Sequence, residues 1–339
     1  MEGLYKKAGV DIDAKANILK KAKAFIKTTY NKNVKTDFGT FGGVYKITEN
    51  KWLVSSVDGV GTKLKIAQKM NKHNTVGIDI VNHCVNDILV MGAKPLFFLD
   101  YIGIGKVNEK IICDIIKGLS FACKKSNCVL IAGETAEMPD VYKNEEYELV
   151  GTIIGEIENK RIITGEKVKE GDIVLGLASS GLHTNGYTLA RKIFEENKID
   201  YKNYINELKG IAGEILLKPH KSYFSSVYPA IQRYFNEIHS IAHITGGGFF
   251  DNIARVIPDN VNCVIKKGSW QILPVFKFLQ EKGNVSDEEM HKVFNMGIGL
   301  VLIVDKNSVK KIEKFLLSKK EKVYIIGEIE KGQGRVLIK

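Results

Sequence analysis

Residues 51–63 read KWLVSSVDGVGTK, a strand-like run that stops at Asp58-Gly59 and turns. Residues 51–57 carry the β-branched and aromatic side chains of a strand. Gly59 and Gly61 let the backbone turn tightly and approach a ligand closely. Working outward, 74–91 reads as a helix, 95–104 (PLFFLDYIGI) as a strand and 108–125 as a helix. Residues 128–132 (CVLIA) and 148–157 (ELVGTIIGEI) are two more strand-like runs. A polar stretch over 158–171, dense in Lys and Glu and broken by Gly165 and Gly171, marks a boundary. Beyond it the pattern restarts, with a strand at 172–178, helices at 185–195 and 221–235, and a strand at 238–244 running into Gly246-Gly247-Gly248. A helix to residue 256 and strands near 261–265, 297–304 and 323–329 complete the chain. The expected fold class is mixed α/β (α+β) in two lobes, 1–165 and 166–339.

The chain has 339 residues, 44% hydrophobic and 26% charged, with 32 glycines against 6 prolines. That is a globular composition, and it excludes disorder, collagen-like repeats and coiled coil as the main theme. No apolar run approaches the roughly 18 residues a membrane helix needs, and the N-terminus has no apolar signal core, so a cytoplasmic protein is expected. The five cysteines form no CxxC pair, which disfavours a disulfide framework or a zinc site. Formal net charge is +11, yet only five of the 50 cations are Arg and the lysines are spread over the whole chain. A diffuse Lys excess attracts small anions; it lacks the Arg forks of base readout, so no nucleic-acid partner is expected.

Asp58 at a strand end, two glycines and Lys63 suit a polyphosphate carrying Mg²⁺, although no Walker loop is present and an ordinary glycine turn is the alternative. On the following helix, at about 100° per residue, Asp79, His83, Asn86 and Asp87 share one polar stripe while Ile80, Val81, Cys84, Val85, Ile88 and Leu89 fall elsewhere. Acidic groups on a largely buried helix are costly unless a cation or donor meets them; a solvated face is the alternative. Glu134 follows the strand ending at Ala132, and strand-end carboxylates of α/β lobes lie where ligands bind. Asp58, Asp87 and Glu134 are therefore expected to share one magnesium site. The loop 38–43 (FGTFGG) suits a fold over a nucleotide or a plain hairpin.

In the second lobe SSGLHTNG (179–186) joins a strand to a helix and suits a phosphate monoester, with N-capping by Thr184 or Asn185 as the alternative. HITGGG (243–248) repeats the arrangement. His183 and His243 are candidate acid–base groups. G-x-S-x-G is missing and no cysteine adjoins either candidate base, His183 or His243, which disfavours covalent hydrolase chemistry.

These segments, in this order, resemble the AIR synthetase family, the phosphoribosylformylglycinamidine cyclo-ligases of an ATP-dependent superfamily. The likeness includes AGVDIDA at 8–14, DGVGTK at 58–63, GID at 77–79, VND at 85–87 and GAKPLFFLDY at 92–101. It continues through GETAEMP at 133–139, SSGLHTNGY at 179–187, TGGGFFDNI at 245–253 and FNMGIG at 294–299. The resemblance implies ring closure of formylglycinamidine ribonucleotide to aminoimidazole ribonucleotide in purine biosynthesis, with ATP converted to ADP and phosphate. It implies Mg²⁺ on Asp58, Asp87 and Glu134, and nucleotide on Lys23, Asp58, Gly59, Gly61, Thr62, Lys63, Asp79, Asn86, Asp87, Gly133, Glu134 and Thr135. Substrate contacts would come from Ser180, Gly181, His183, Thr184, Asn185, Thr245, Gly246, Gly247 and Gly248. His183, His243 and Lys63 would be catalytic. The family fold implies a homodimer whose N-terminal lobes pair their sheets into a barrel. Thr184 departs from the family's usual Ser but keeps the hydroxyl, and the 38–43 loop matches loosely. Selenophosphate synthetase, a relative in the same superfamily, carries a reactive residue near its first glycine loop, whereas the first cysteine here is Cys84.

Overall fold

The structure is a computed structural model that describes residues 3–158 and 161–339; residues 159 and 160, inside the expected lobe boundary, lie outside the described residues. The chain starts with α1 (Leu4–Lys7) and α2 (Ile12–Lys27), the latter opened by Asp11, which accepts from the backbone N–H of Ala14 at 2.8 Å. Strands β1 (Gly43–Lys46) and β2 (Lys51–Gly59) form a hairpin, followed by α3 (Leu64–Met70) and α4 (Asn74–Leu89). Next come β3 (Lys94–Ile104), α5 (Glu109–Lys125), β4 (Val129–Glu137) and β5 (Tyr147–Glu158). The sheet order is β1-β2-β5-β3-β4, antiparallel except for the β3–β4 pair, whose crossover is α5.

Helix α5 forms because Asn108 caps its first turn and because Ile111, Ile115, Leu119 and Ala122 recur on one buried face. It lies against α4 so closely that a Cβ on Gly77 would stand 2.3 Å from the carbonyl oxygen of Ile115, and one on Gly118 would stand 2.0 Å from that of Asn74. Glycine is obligatory at both crossing points. Helix α4 is buried from Thr75 to Leu89 save Ile78, so it has no solvated face to offer.

The C-terminal lobe opens with β6 (Ile173–Ala178) and α6 (Tyr187–Glu196), then the short strands β7 (Tyr204–Ile205) and β8 (Gly210–Ile211). Helices α7 (Ala212–Leu216) and α8 (Phe224–Tyr234), strand β9 (Ile238–His243) and helix α9 (Gly248–Ala254) follow, then β10 (Val261–Ile265). Helices α10 (Pro274–Gly283) and α11 (Asp287–Val293), strand β11 (Ile298–Val304), helix α12 (Val309–Ser318), β12 (Val323–Lys331) and β13 (Val336–Ile338) complete it. The six-stranded sheet runs β13-β10-β12-β6-β11-β9. Strand β11, between β6 and β9, is buried at every position, and removing such a continuous apolar run from water stabilises the lobe. The mixed α/β class is as the sequence predicts.

Candidate active site

The polar stripe of α4 is where the lobes meet. An extended stretch of the C-terminal lobe, residues 218–223, lies across it and exchanges hydrogen bonds one helical turn after another. Asp79 accepts the backbone N–H of His220 at 2.6 Å, and Asn82 donates to the carbonyl of His220 at 2.6 Å. Asn86 donates to the carbonyl of Lys221 at 2.8 Å and accepts from the backbone N–H of Tyr223 at 3.0 Å. A buried polar face is tolerated because each group meets a partner. The stripe is thus neither solvated nor wholly turned to a ligand, and Asp79 and Asn86, expected at the nucleotide, are interlobe struts with no exposure.

Lys63 needs the same correction. Its ammonium is wholly buried and donates to Asp79 Oδ1 at 2.8 Å, to the carbonyl of His183 at 3.0 Å and to that of Lys218 at 2.9 Å. Three protons meet three oxygens, so none is left for a phosphate. Burial pushes the Lys63 ammonium down and the Asp79 carboxyl up, but the three acceptors select the charged pair.

Asp58 and Asp87 converge on His83. Its Nε2 lies 3.0 Å from Asp58 Oδ2 and 3.6 Å from Asp87 Oδ2. Burial alone would push this imidazole down; the carboxylates of Asp58 and Asp87 outweigh it and raise the pKa to about 9, so His83 is a cation between two anions. Asp58 keeps a 46% exposed side chain, with Oδ1 accepting the backbone N–H of Gly59 at 2.7 Å.

Asp87 Oδ1 meets His243 Nδ1 at 2.8 Å, and His243 Nε2 meets His220 Nε2 at 2.9 Å. Thr184 Oγ1 lies 3.3 Å from His220 Nδ1 and 2.7 Å from His83 Nδ1. Because a carboxylate only accepts, one set of tautomers satisfies all five contacts. His83 donates to Thr184 and to Asp58, Thr184 donates to His220, His220 donates to His243, and His243 donates to Asp87. Burial holds His220 well below the usual histidine range and lowers His243 despite Asp87, which agrees with both being neutral.

His183 sits at φ +63° and stacks on His220, ring centroids 4.0 Å apart. Its Nε2 accepts the backbone N–H of Ser180 at 3.3 Å, and burial, reinforced by His243 and Lys63, holds it neutral. Both candidate acid–base histidines are thus fully buried and face protein. They support the site and do not reach a dissolved substrate. Nor does Thr184 cap α6: Gly186 holds that position, and the threonine hydroxyl serves two histidines.

A cleft of about 880 Å³ runs between the lobes beside this cluster. Ser56 of β2 and Thr40 and Phe41 of the 38–43 loop line one wall; Asn185, Gly246 and Gly247 line the other. The 38–43 loop, ambiguous in sequence, lines this cleft. Arg255 also lines it and lies 4.9 Å over the Phe41 ring. The TGGG loop is held from behind by Asn252, which donates to the carbonyls of Thr245, Gly246 and Gly248. Lys23 reaches the same region by pairing with Asp37, a cleft residue, and so is a half-exposed cation engaged in an ion pair. Ser180 is drawn off to the carbonyl of Pro219 at 2.6 Å, and Thr62 meets Thr188 across the lobe boundary at 3.0 Å.

Glu134 does not join Asp58 and Asp87 within one chain. Strand register puts Gly59 opposite Val150, Val150 opposite Tyr101, and Tyr101 opposite Glu134. Three interstrand steps place Glu134 about 14 Å away. Gly133, Glu134 and Thr135 are exposed on β4, at the free edge of the sheet. The expected three-carboxylate site is thereby reduced to a pair. His220 and Asn82, central to the cluster, carried no sequence signal, whereas His83 was visible in the stripe without a role.

The description "AIR synthase related protein, N-terminal domain" matches residues 39–157, and "AIR synthase related protein, C-terminal domain" matches 169–339. The chain is 48% identical to phosphoribosylformylglycinamidine cyclo-ligase of Caldicellulosiruptor saccharolyticus over 99% of each chain. It is 47% identical to the protein of that name from Thermoanaerobacter sp., over 98% of this chain and 99% of that one. Among solved structures, tt0281 from Thermus thermophilus covers 95% of each chain with a TM-score of 0.68 at 16% identity. AaThiL complexed with AMPPCP and TMP covers 93% of this chain and 91% of its own, with a TM-score of 0.63 at 15% identity, a likeness of fold. With both domains matched and near-half identity end to end, the chain belongs to the phosphoribosylformylglycinamidine cyclo-ligase (AIR synthetase) family.

Proposed function

We propose that this enzyme closes the imidazole ring of aminoimidazole ribonucleotide from formylglycinamidine ribonucleotide, using ATP and releasing ADP and phosphate. The observation that carries the reading is the Asp58–Asp87 pair, brought from β2 and α4 to one point beside a cleft whose far wall is two glycine loops. Two hard carboxylates, each with Oδ1 anchored by the protein and Oδ2 turned toward the imidazolium of His83, suit Mg²⁺, and that imidazolium already stands as a positive charge between them. Mg²⁺ bound there would neutralise charge on the phosphates of ATP. The 58–62 turn presents backbone to the nucleotide, with Thr40 and Phe41 over it. The loops at 179–186 and 245–248 hold the phosphoribosyl arm opposite, Gly246 and Gly247 offering backbone N–H groups beside Asn185. Activation transfers the γ-phosphoryl group to the formyl amide oxygen; the amidine nitrogen then attacks that carbon and phosphate leaves. Both reacting groups belong to one molecule, so the protein's task is to hold them together and keep water away, which explains a site without a strong nucleophile.

The same reading makes the enzyme a cytoplasmic homodimer. The β4 edge and the sheet face carrying Val57, Val129 and Ile131, exposed 64%, 59% and 60%, are apolar and unpaired among the described residues, and a second copy suits them. The test is release of phosphate from ATP. It should require the formylamidine ribonucleotide and yield aminoimidazole ribonucleotide; ATP turnover indifferent to that substrate would overturn the reading.

A further inference from the structure

His220 belongs to none of the motifs read in the sequence, yet it sits at the centre of the cluster. It is fully buried and both ring nitrogens are committed, Nδ1 to Thr184 and Nε2 to His243. Its backbone is fixed from both sides, with N–H on Asp79 and the carbonyl on Asn82. A ring held in this way cannot turn. Its Nε2–H then fills the lone pair of His243 Nε2, leaving the other His243 nitrogen to carry a proton to Asp87 Oδ1. His243 pins that oxygen, and Asp87 Oδ2 is left toward His83 and Ser56, the latter donating at 3.2 Å. At the other end, Thr184 belongs to the SSGLHTNG loop. The contacts join a substrate loop to a metal-binding carboxylate through two imidazoles in series, His220 and then His243.

We propose that His220 is a positioning residue that fixes the tautomer and orientation of His243, and through it the Asp87 carboxylate, for the divalent cation of the nucleotide. The inference rests on the metal role given to Asp87 above. Groups that orient a metal ligand from behind are worth about 10- to 100-fold in metal affinity. His220→Leu keeps bulk but removes the donor. His220→Gln keeps an N–H donor and a carbonyl acceptor on a similar stem.

The test uses the full-length protein with Mn²⁺ and a non-hydrolysable ATP analogue, reading bound Mn²⁺ by electron paramagnetic resonance, alongside ¹⁵N spectra of the histidine rings. In the wild type the His243 signals should show a single tautomer protonated at Nδ1. His220→Leu should mix its tautomers and weaken Mn²⁺ binding at least about 10-fold, and His220→Gln should restore both to within about 3-fold. Unchanged tautomer and Mn²⁺ affinity in His220→Leu would overturn the proposal. So would a Gln variant as impaired as the Leu variant, since that would leave only a packing role. If the wild type itself bound no Mn²⁺–nucleotide, the metal reading would fail, and the ring spectra would still decide whether His220 sets His243. Should His220→Leu fail to fold, Thr184→Val cuts the same chain one link earlier and must shift the same His243 signals.

Discussion

Lys63 and Asp79 form a wholly buried ion pair, Nζ to Oδ1 at 2.8 Å, in which the lysine of DGVGTK also clasps two carbonyls of the opposite lobe. The lysine is therefore a rivet between domains. Removing it leaves a buried carboxylate without its cation, and Asp79 Oδ2 already lacks a hydrogen-bond partner. Lys63→Met should destabilise the protein by about 3–5 kcal/mol. Lys63→Met with Asp79→Leu should cost less than the sum of the single changes. Urea unfolding of the three variants checks this; a stable Lys63→Met protein with only its ATP affinity reduced would return the lysine to the nucleotide.

Asp58 contrasts with Asp79. Its side chain is nearly half exposed and its partner His83 keeps a second carboxylate. Asp58→Asn should lower kcat at least about 100-fold at saturating Mg·ATP, because the charge lost is one of the two carboxylates of the proposed metal site. Stability should change by less than about 1 kcal/mol. Full turnover in this variant would dismiss the residue from the metal site.

Acid should unfold this enzyme early. Burial holds His183 and His220 far below the usual histidine pKa, so in the folded state they stay neutral while the unfolded chain takes up two protons below pH about 6.5. The unfolded form then binds more protons, and stability is lost as pH falls. The slope approaches about 3 kcal/mol per pH unit once both groups titrate in the unfolded chain. Thermal melts from pH 7.5 to 5.5 would show it, and His220→Gln should lower the slope by about 1.4 kcal/mol per pH unit, the share of one imidazole. A flat profile would mean the imidazoles are charged in the folded protein.

Strands and helices were readable because apolar residues repeat at the period each element needs. The strand order was not. Antiparallel β5 enters between β2 and β3, and that insertion carries Glu134 away from Asp58, although both end strand-like runs in the sequence. The α4 stripe was equally visible as a pattern, but periodicity cannot say whether a cation or another domain neutralises it. The other lobe takes Asp79, Asn82 and Asn86, leaving Asp87 for the cleft side. His220 was invisible because its contacts span 23, 36 and 141 residues of chain and only folding brings them together.

The exposed sheet of the N-terminal lobe gives a direct test of assembly. Ile131 is 60% exposed on β4, whose outer edge is unpaired among the described residues. Ile131→Lys places a charge where two copies would bury apolar surface, and should weaken dimerisation at least about 10-fold, about 1.4 kcal/mol. Sedimentation equilibrium should show a dimer for the wild type and a larger monomer fraction for the variant. An unaltered dimer would move the interface elsewhere.

The glycine loop of the second lobe separates substrate binding from chemistry. Gly247 has φ +92°, and a Cβ there would lie 2.3 Å from Asp251 Oδ2. Alanine is both strained and obstructed at this position, so the loop must shift on the cleft wall proposed to hold the ribonucleotide. Asp58 and Asp87 stand on β2 and α4 of the other lobe, joined to the TGGG segment only through His243, four residues before Gly247, among the hydrogen bonds of the described residues. Gly247→Ala should therefore raise KM for the ribonucleotide about 10-fold while leaving KM for ATP and kcat within about 2-fold, a loss of uniform binding. A fall in kcat with KM unchanged would instead mean that the loop acts only on the transition state, and would shift part of the chemistry from the carboxylate cluster to the TGGG loop.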